Sequence, residues 1–241
     1  MTRNLKTGSS LNTPGTLRRR DVLVRSIGVA SAIPLAAATT RLNVLAQDEE
    51  GSEVAAAPSG RNNFEFIATV HQQGFEFEFY GYLTRVDGIE PSLLFTNNDP
   101  VNRGPGDARL TMFGAVTASS RSIIETLFNV NGEGVFSIHY AESGGASFDD
   151  PGSFQAGALV ASGPAIIQSV ITVIAPQTGL SNGYGDLMLE TAETFSIGDV
   201  SFQFRTGEPL SRLSYTGQGT LLDPELPESM IYVVGNASSV G

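Results

Sequence analysis

The sequence has 241 residues, with 25 acidic and 14 basic side chains, a formal net charge of −11, and neither cysteine nor tryptophan. Without cysteine there can be no disulfide framework, iron–sulfur cluster or thiolate zinc site. The acidic balance makes nucleic acid and anionic membrane surfaces poor partners, because both would repel it.

In chain order, residues 1–15 are a polar extension, and Thr16 to Ala46 reads as a leader. Arg19 and Arg20 are followed by a free position, Asp21, and by the apolar pair Val22 and Leu23. Ile27 to Ala38 is apolar but diluted by Gly28, Ser31 and Pro34, and it is too short to span a bilayer. Ala46, just before Gln47, supplies the small residue a signal peptidase needs, with Ala38 as the second choice. The stretch resembles a bacterial or archaeal twin-arginine signal peptide. That resemblance implies the Tat translocase and a signal peptidase as export partners. It also implies passage in a folded state to a periplasmic, cell-wall-associated or extracellular location. After Ala46 the chain keeps seven basic residues, all arginine, against 24 acidic ones, a balance of −17. No later segment has the long apolar run of a membrane helix, so the mature form is expected to lack an integral membrane segment.

Residues 47–63 contain Asp48-Glu49-Glu50, three alanines and small polar residues, the composition of a disordered acidic tether. A β-domain is expected over 64–236, with a short tail at 237–241. Phe64, Phe66, Ala68 and Val70 alternate with Glu65, Ile67, Thr69 and His71; Phe75, Phe77 and Phe79 alternate with Glu76, Glu78 and Tyr80. With Gln73-Gly74 as the loop, Val70 faces Phe77 and Ala68 faces Phe79, giving one phenylalanine-lined face and one polar face.

Further strands are expected at Leu93 to Thr96, Arg109 to Ala118 and Ser122 to Val130, the last also compatible with helical spacing. Asn131 to Gly134 reads as a turn before a strand from Val135 to Glu142. A long β-rich stretch, Gln155 to Ala175, has Gly163-Pro164 as a bulge or break. Tyr184 to Phe195 and Val200 to Thr206 suggest a hairpin turning at Gly198-Asp199, with Ile197 facing Val200 and Phe195 facing Phe202. Leu210 to Thr220 and Met230 to Val234 complete about ten strands. The expected class is all-β, a single antiparallel barrel, with a sandwich as the alternative. Gly81-Tyr82-Leu83 early and Gly217-Gln218-Gly219 late make the domain resemble the allene oxide cyclase and dirigent group of small antiparallel barrels. No diagnostic motif of that group can be placed on these residues, so the resemblance implies a fold and not an activity.

Chemistry is sparse. With only His71 and His139, and no HExxH, GxSxG or phosphate-loop pattern, no catalytic residue, metal or cofactor is assigned. His71 shares a face with Glu65 and in one register lies opposite Glu76; this is an acid–base pair or, more simply, a surface pair. His139 precedes a glycine-rich loop with Asp149 and Asp150, a cation loop or a solvated turn. Glu76, Glu78, Tyr80 and Tyr82 share one face, which would line a pocket if turned inward and be wet if turned out.

Three functions fit: a non-catalytic module that binds a small apolar ligand or another envelope component, a cofactor-independent cyclase or isomerase, or a structural surface protein. Binding expects a cavity of a few hundred Å³. The enzyme reading also expects a carboxylate or histidine inside it.

Overall fold

The computed structural model describes residues 62–206, 211–223, 225 and 227–240. The Arg19-Arg20-Val22-Leu23 motif, the cleavage position Ala46 and all of the expected tether except Asn62 and Asn63 lie outside the described residues.

Strand β1 (Asn62–Gln73) and strand β2 (Glu76–Val86) form the expected hairpin, but the loop falls at Gly74 and Phe75, with Gly74 at φ 65°. Val70 therefore pairs with Phe79 and Gln72 with Phe77. The register moves by two residues, and because side chains alternate with period two, the same residues still point inward.

Strands β3 (Leu110–Ile124) and β4 (Leu127–Tyr140) depart further from expectation. Ser122 to Val130 is not one strand but the tip of a hairpin, with Ile124 paired to Leu127 and Ile123 to Phe128. Glu125 takes the turn at φ 53°. Asn131 to Gly134 is not a turn: it continues β4. Gly134 runs so close to β3 that a Cβ there would overlap the Ala115 carbonyl. Glycine at that point marks close strand approach and not chain reversal.

Strand β5 (Ala158–Ala175) passes through Gly163-Pro164 unbroken. Pro164 sits where β5 changes neighbours, between the Ala161 and Ser162 pairs with β7 (Thr191–Ala192) and the pair of Ala165 with Leu187 in β6 (Thr178–Leu187). A missing N–H costs no ladder bond there.

Tyr184 to Phe195 is correspondingly divided among the end of β6, β7 and β8 (Phe195–Ile197). Strand β8 pairs with β9 (Val200–Phe202) in the expected register, Ile197 with Val200 and Phe195 with Phe202. The candidate strand at Leu93 to Thr96 is reduced to a single bridge between Phe95 and Ala108. Strands β10 (Ser211–Asp223) and β11 (Glu228–Ser239) are longer than their expected cores, and Ala237 is fully buried, so the fold runs from Asn62 to Ser239.

The molecule is all-β. Strands β1, β2, β3, β4, β5, β6, β10 and β11 pair antiparallel in that order, and β11 returns to β1, closing an eight-stranded barrel; β7 is an added strand beside β5. Closure leaves no free sheet edge in the barrel itself.

The two ends differ. At one end the strands follow one another closely in sequence, β1 to β2, β3 to β4, β5 to β6 and β10 to β11. At the other the connections are long, at 87–109, at 141–157 and in the segment that follows β6, described to residue 206. At that second end the described loops carry Leu94, Phe95, Ile197, Phe202 and Phe204 into the same buried core as Phe64, Phe66, Leu110 and Ile138. The barrel is thus plugged at the long-loop end.

Phe66 is central to this plug, 1% exposed and edge-on to Phe79 with ring centroids 5.6 Å apart. Phe66→Ala is expected to cost about 3–5 kcal/mol, because the removed ring leaves a cavity that rigid strands cannot collapse. Urea unfolding checks this; a midpoint unchanged from wild type would contradict it.

Candidate ligand-binding site

The inward face is packed at the long-loop end and open at the short-turn end. The difference follows from side-chain size along β6. Its inward positions are Gly179, Ser181, Gly183 and Gly185, whereas Leu180, Asn182 and Tyr184 point outward. Four small residues in a row cannot fill a barrel of this size.

The space they leave has two adjoining parts. An inner chamber of about 70 Å³ is bounded by Phe77, Phe79, Phe136, Ile167, Leu213 and Tyr215 among others. An outer vestibule of about 330 Å³ opens toward the short turns, past Phe75, Phe128, Arg121, Gln72 and Gln177. Phe77, Val130, Ile171, Ser181 and Ile231 border both, so the two parts adjoin along a line from the mouth to mid-barrel.

The chamber wall is apolar except for the hydroxyls of Ser169, Ser181 and Tyr215. Ser169 Oγ and Ser181 Oγ are 2.9 Å apart, a hydrogen bond in which either can donate. Tyr215 lies over Gly183, where a Cβ would overlap the phenol ring and hydroxyl. Burial pushes the Tyr215 phenol above its ordinary pKa, and its interaction with Ser169 partly opposes that rise. It is therefore a neutral donor at any physiological pH.

In the vestibule the Arg121 guanidinium stands over the Phe128 ring, 5.3 Å from its centroid. Neither part of the path is lined by a carboxylate or a histidine.

None of the six residues singled out in the sequence borders this path. Their face turns outward. Glu76 and Glu78 are exposed, and Glu76 accepts a hydrogen bond from Thr117 Oγ1 at 2.8 Å. Tyr80 and Tyr82 are buried against the 141–157 connection through Phe148, and Tyr80 also meets Phe154. His71 pairs with Glu228 at 3.0 Å instead of with Glu76. Among the described residues no group of three or more His, Asp or Glu side chains gathers to hold a metal, and Asp149 and Asp150 are exposed.

His139 also faces outward, under residue 157. Its Nδ1 is 3.3 Å from the Gly157 carbonyl, which can only accept, and Nε2 is 3.0 Å from Ser137 Oγ. Burial lowers its pKa below the ordinary imidazole value, with the Gly157 carbonyl opposing.

The unfolded chain, with its imidazole near about 6.5, therefore takes up the proton first as pH falls. Stability is retained above that value and lost progressively below it, down to the folded-state pKa. Thermal melts between about pH 7 and pH 5 should show a steeper loss of Tm for the wild type than for His139→Asn. Parallel curves would contradict the assignment, since the carboxylates common to both proteins cancel.

No family model, curated protein or solved structure matches the chain.

Proposed function

We propose that the protein is a binding module that takes a small, largely apolar molecule into the open end of its barrel. The observation that carries this reading is the pair of adjoining cavities, chamber and vestibule, that share five lining residues at the open end of the barrel. Its combined size is that of a small-molecule site, and its walls are hydrophobic with a few convergent polar groups. Filling apolar space releases about 25 cal/mol per Å² of surface removed from water, so an apolar ligand has a driving force here without any charged anchor. The cyclase or isomerase reading is less well supported, because the lining offers neither of the expected general acid–base groups.

Titration with N-phenyl-1-naphthylamine, which brightens on entering apolar sites, tests the proposal. Saturable one-to-one binding, competed by small hydrocarbons, is expected. Absence of saturable binding would remove the reading.

The same reading includes export. The Arg19-Arg20 motif and the apolar segment after it resemble a twin-arginine leader, with cleavage proposed after Ala46. A barrel closed by pairing its first strand with its last depends on distant contacts, and such contacts form slowly. A route that carries folded cargo suits that topology. Among the described residues no helix is long and apolar enough to cross a membrane.

A further inference from the structure

We infer that the inner chamber selects a neutral molecule bearing a single hydrogen-bond-accepting oxygen, a ketone, aldehyde or ester carbonyl, held by the Ser169, Ser181 and Tyr215 hydroxyls. This rests on the proposed binding of an apolar ligand in the same barrel and specifies its chemistry.

The argument is a count of hydrogens. Three hydroxyls carry three hydrogens, and each can donate once. Ser169 and Ser181 share one hydrogen bond, and Ser169 can share at most one more with Tyr215. At least one O–H is therefore left without an acceptor inside the group. Among the described residues none of the three hydroxyls donates to a backbone carbonyl, and the rest of the chamber wall is hydrocarbon or glycine. A buried donor in such surroundings costs free energy until something accepts from it.

The position of the group turns that surplus toward a ligand. Ser169, Ser181 and Tyr215 come from three neighbouring strands, β5, β6 and β10, and all point inward. Ser169 and Tyr215 keep part of their surface open although they lie in mid-barrel, so that opening is to the lumen. Ser181 also borders the vestibule, which places the group where an entering molecule first meets the chamber.

Gly183 contributes by absence, since any side chain there would push the Tyr215 hydroxyl aside. Charge sets the remaining limit. The chamber has no charged group to balance an ion, and bare ions in such surroundings are strongly disfavoured. At the mouth, the Arg121 guanidinium further disfavours cations.

The test compares decan-2-one with 2-methyldecane, which has a methyl group in place of the carbonyl oxygen, by displacement of N-phenyl-1-naphthylamine. The measured quantity is the ratio of the two affinities in the full-length protein. In the triple variant Ser169→Ala, Ser181→Ala, Tyr215→Phe, the ketone-to-hydrocarbon ratio is expected to fall three- to tenfold, roughly the value of one or two net hydrogen bonds. Hydrocarbon binding should hold or improve, which also shows that the variant is folded. Should the triple variant not fold, Tyr215→Phe alone is read in the same way, with at least a twofold fall expected.

An unchanged ratio with both molecules still bound would overturn the role of the hydroxyls and leave apolar binding standing. Failure of the ketone alone to bind the wild type would overturn the role of the hydroxyls, and failure of both molecules would overturn the apolar binding as well.

Discussion

Replacing Arg19 and Arg20 together by lysine (R19K and R20K) is expected to abolish export, with full-length precursor accumulating inside the cell. The charge of the leader is unchanged by that substitution, so a route that reads only positive charge would not notice it. A route that reads the guanidinium would, because the planar fork of arginine presents donors that a lysine ammonium cannot reproduce. The measurement is a fractionation blot of precursor and cleaved forms in the host, together with the N-terminus of the exported form. Normal export of the double-lysine chain would show that the leader uses the general secretory route. An N-terminus at residue 39 instead of 47 would move the cleavage to Ala38.

The second large effect is expected from Ile171→Trp. Ile171 borders both chamber and vestibule, so an indole there stands across the path between them. Affinity for N-phenyl-1-naphthylamine should drop at least about tenfold, since the ligand must either stay in the vestibule or displace a bulky aromatic ring. Gln168→Trp is the control. Gln168 lies on the same strand with its side chain exposed, so binding should be unchanged. Because the natural chain has no tryptophan, each variant carries one indole, and its fluorescence reports whether that indole is buried or wet. Equal binding by the two variants would mean that the probe does not enter the barrel.

Much of the architecture is legible in the residues. The alternation from Phe64 to Phe79 fixes which side chains face the core, and the face survived a two-residue error in register because the pleat repeats every two residues. The Gly198 turn was placed to the residue because its flanking pairs, Ile197 with Val200 and Phe195 with Phe202, leave one compatible register.

Glycine in Asn131 to Gly134 reads locally as a chain reversal, yet at Gly134 it allows two strands to touch. Local sequence cannot tell these uses apart, because the neighbouring strand is what decides between them. The reversal at Glu125 was hidden for the opposite reason, since no glycine or proline marks it.

The site was less legible. The residues with the most chemistry in the sequence, His71, His139, Glu76, Glu78, Tyr80 and Tyr82, all lie on the outer face and border neither cavity. The informative signal was the run of small residues at alternate positions from Gly179 to Gly185. In one strand it is only a weak strand former, and it becomes a cavity once seven other strands surround it.

By itself, then, the sequence determined the class of the protein: all-β strands, their faces, several turns, and an acidic chain without cysteine. Periodicity and composition are local properties, and they survive without knowledge of partners. Only the tertiary structure decided that the sheet closes, which end is plugged, and that Ser169, Ser181 and Tyr215 meet inside. Closure requires β11 to find β1, and the three hydroxyls meet only where β10 is laid beside the β5–β6 hairpin, pairings that no local stretch of sequence specifies.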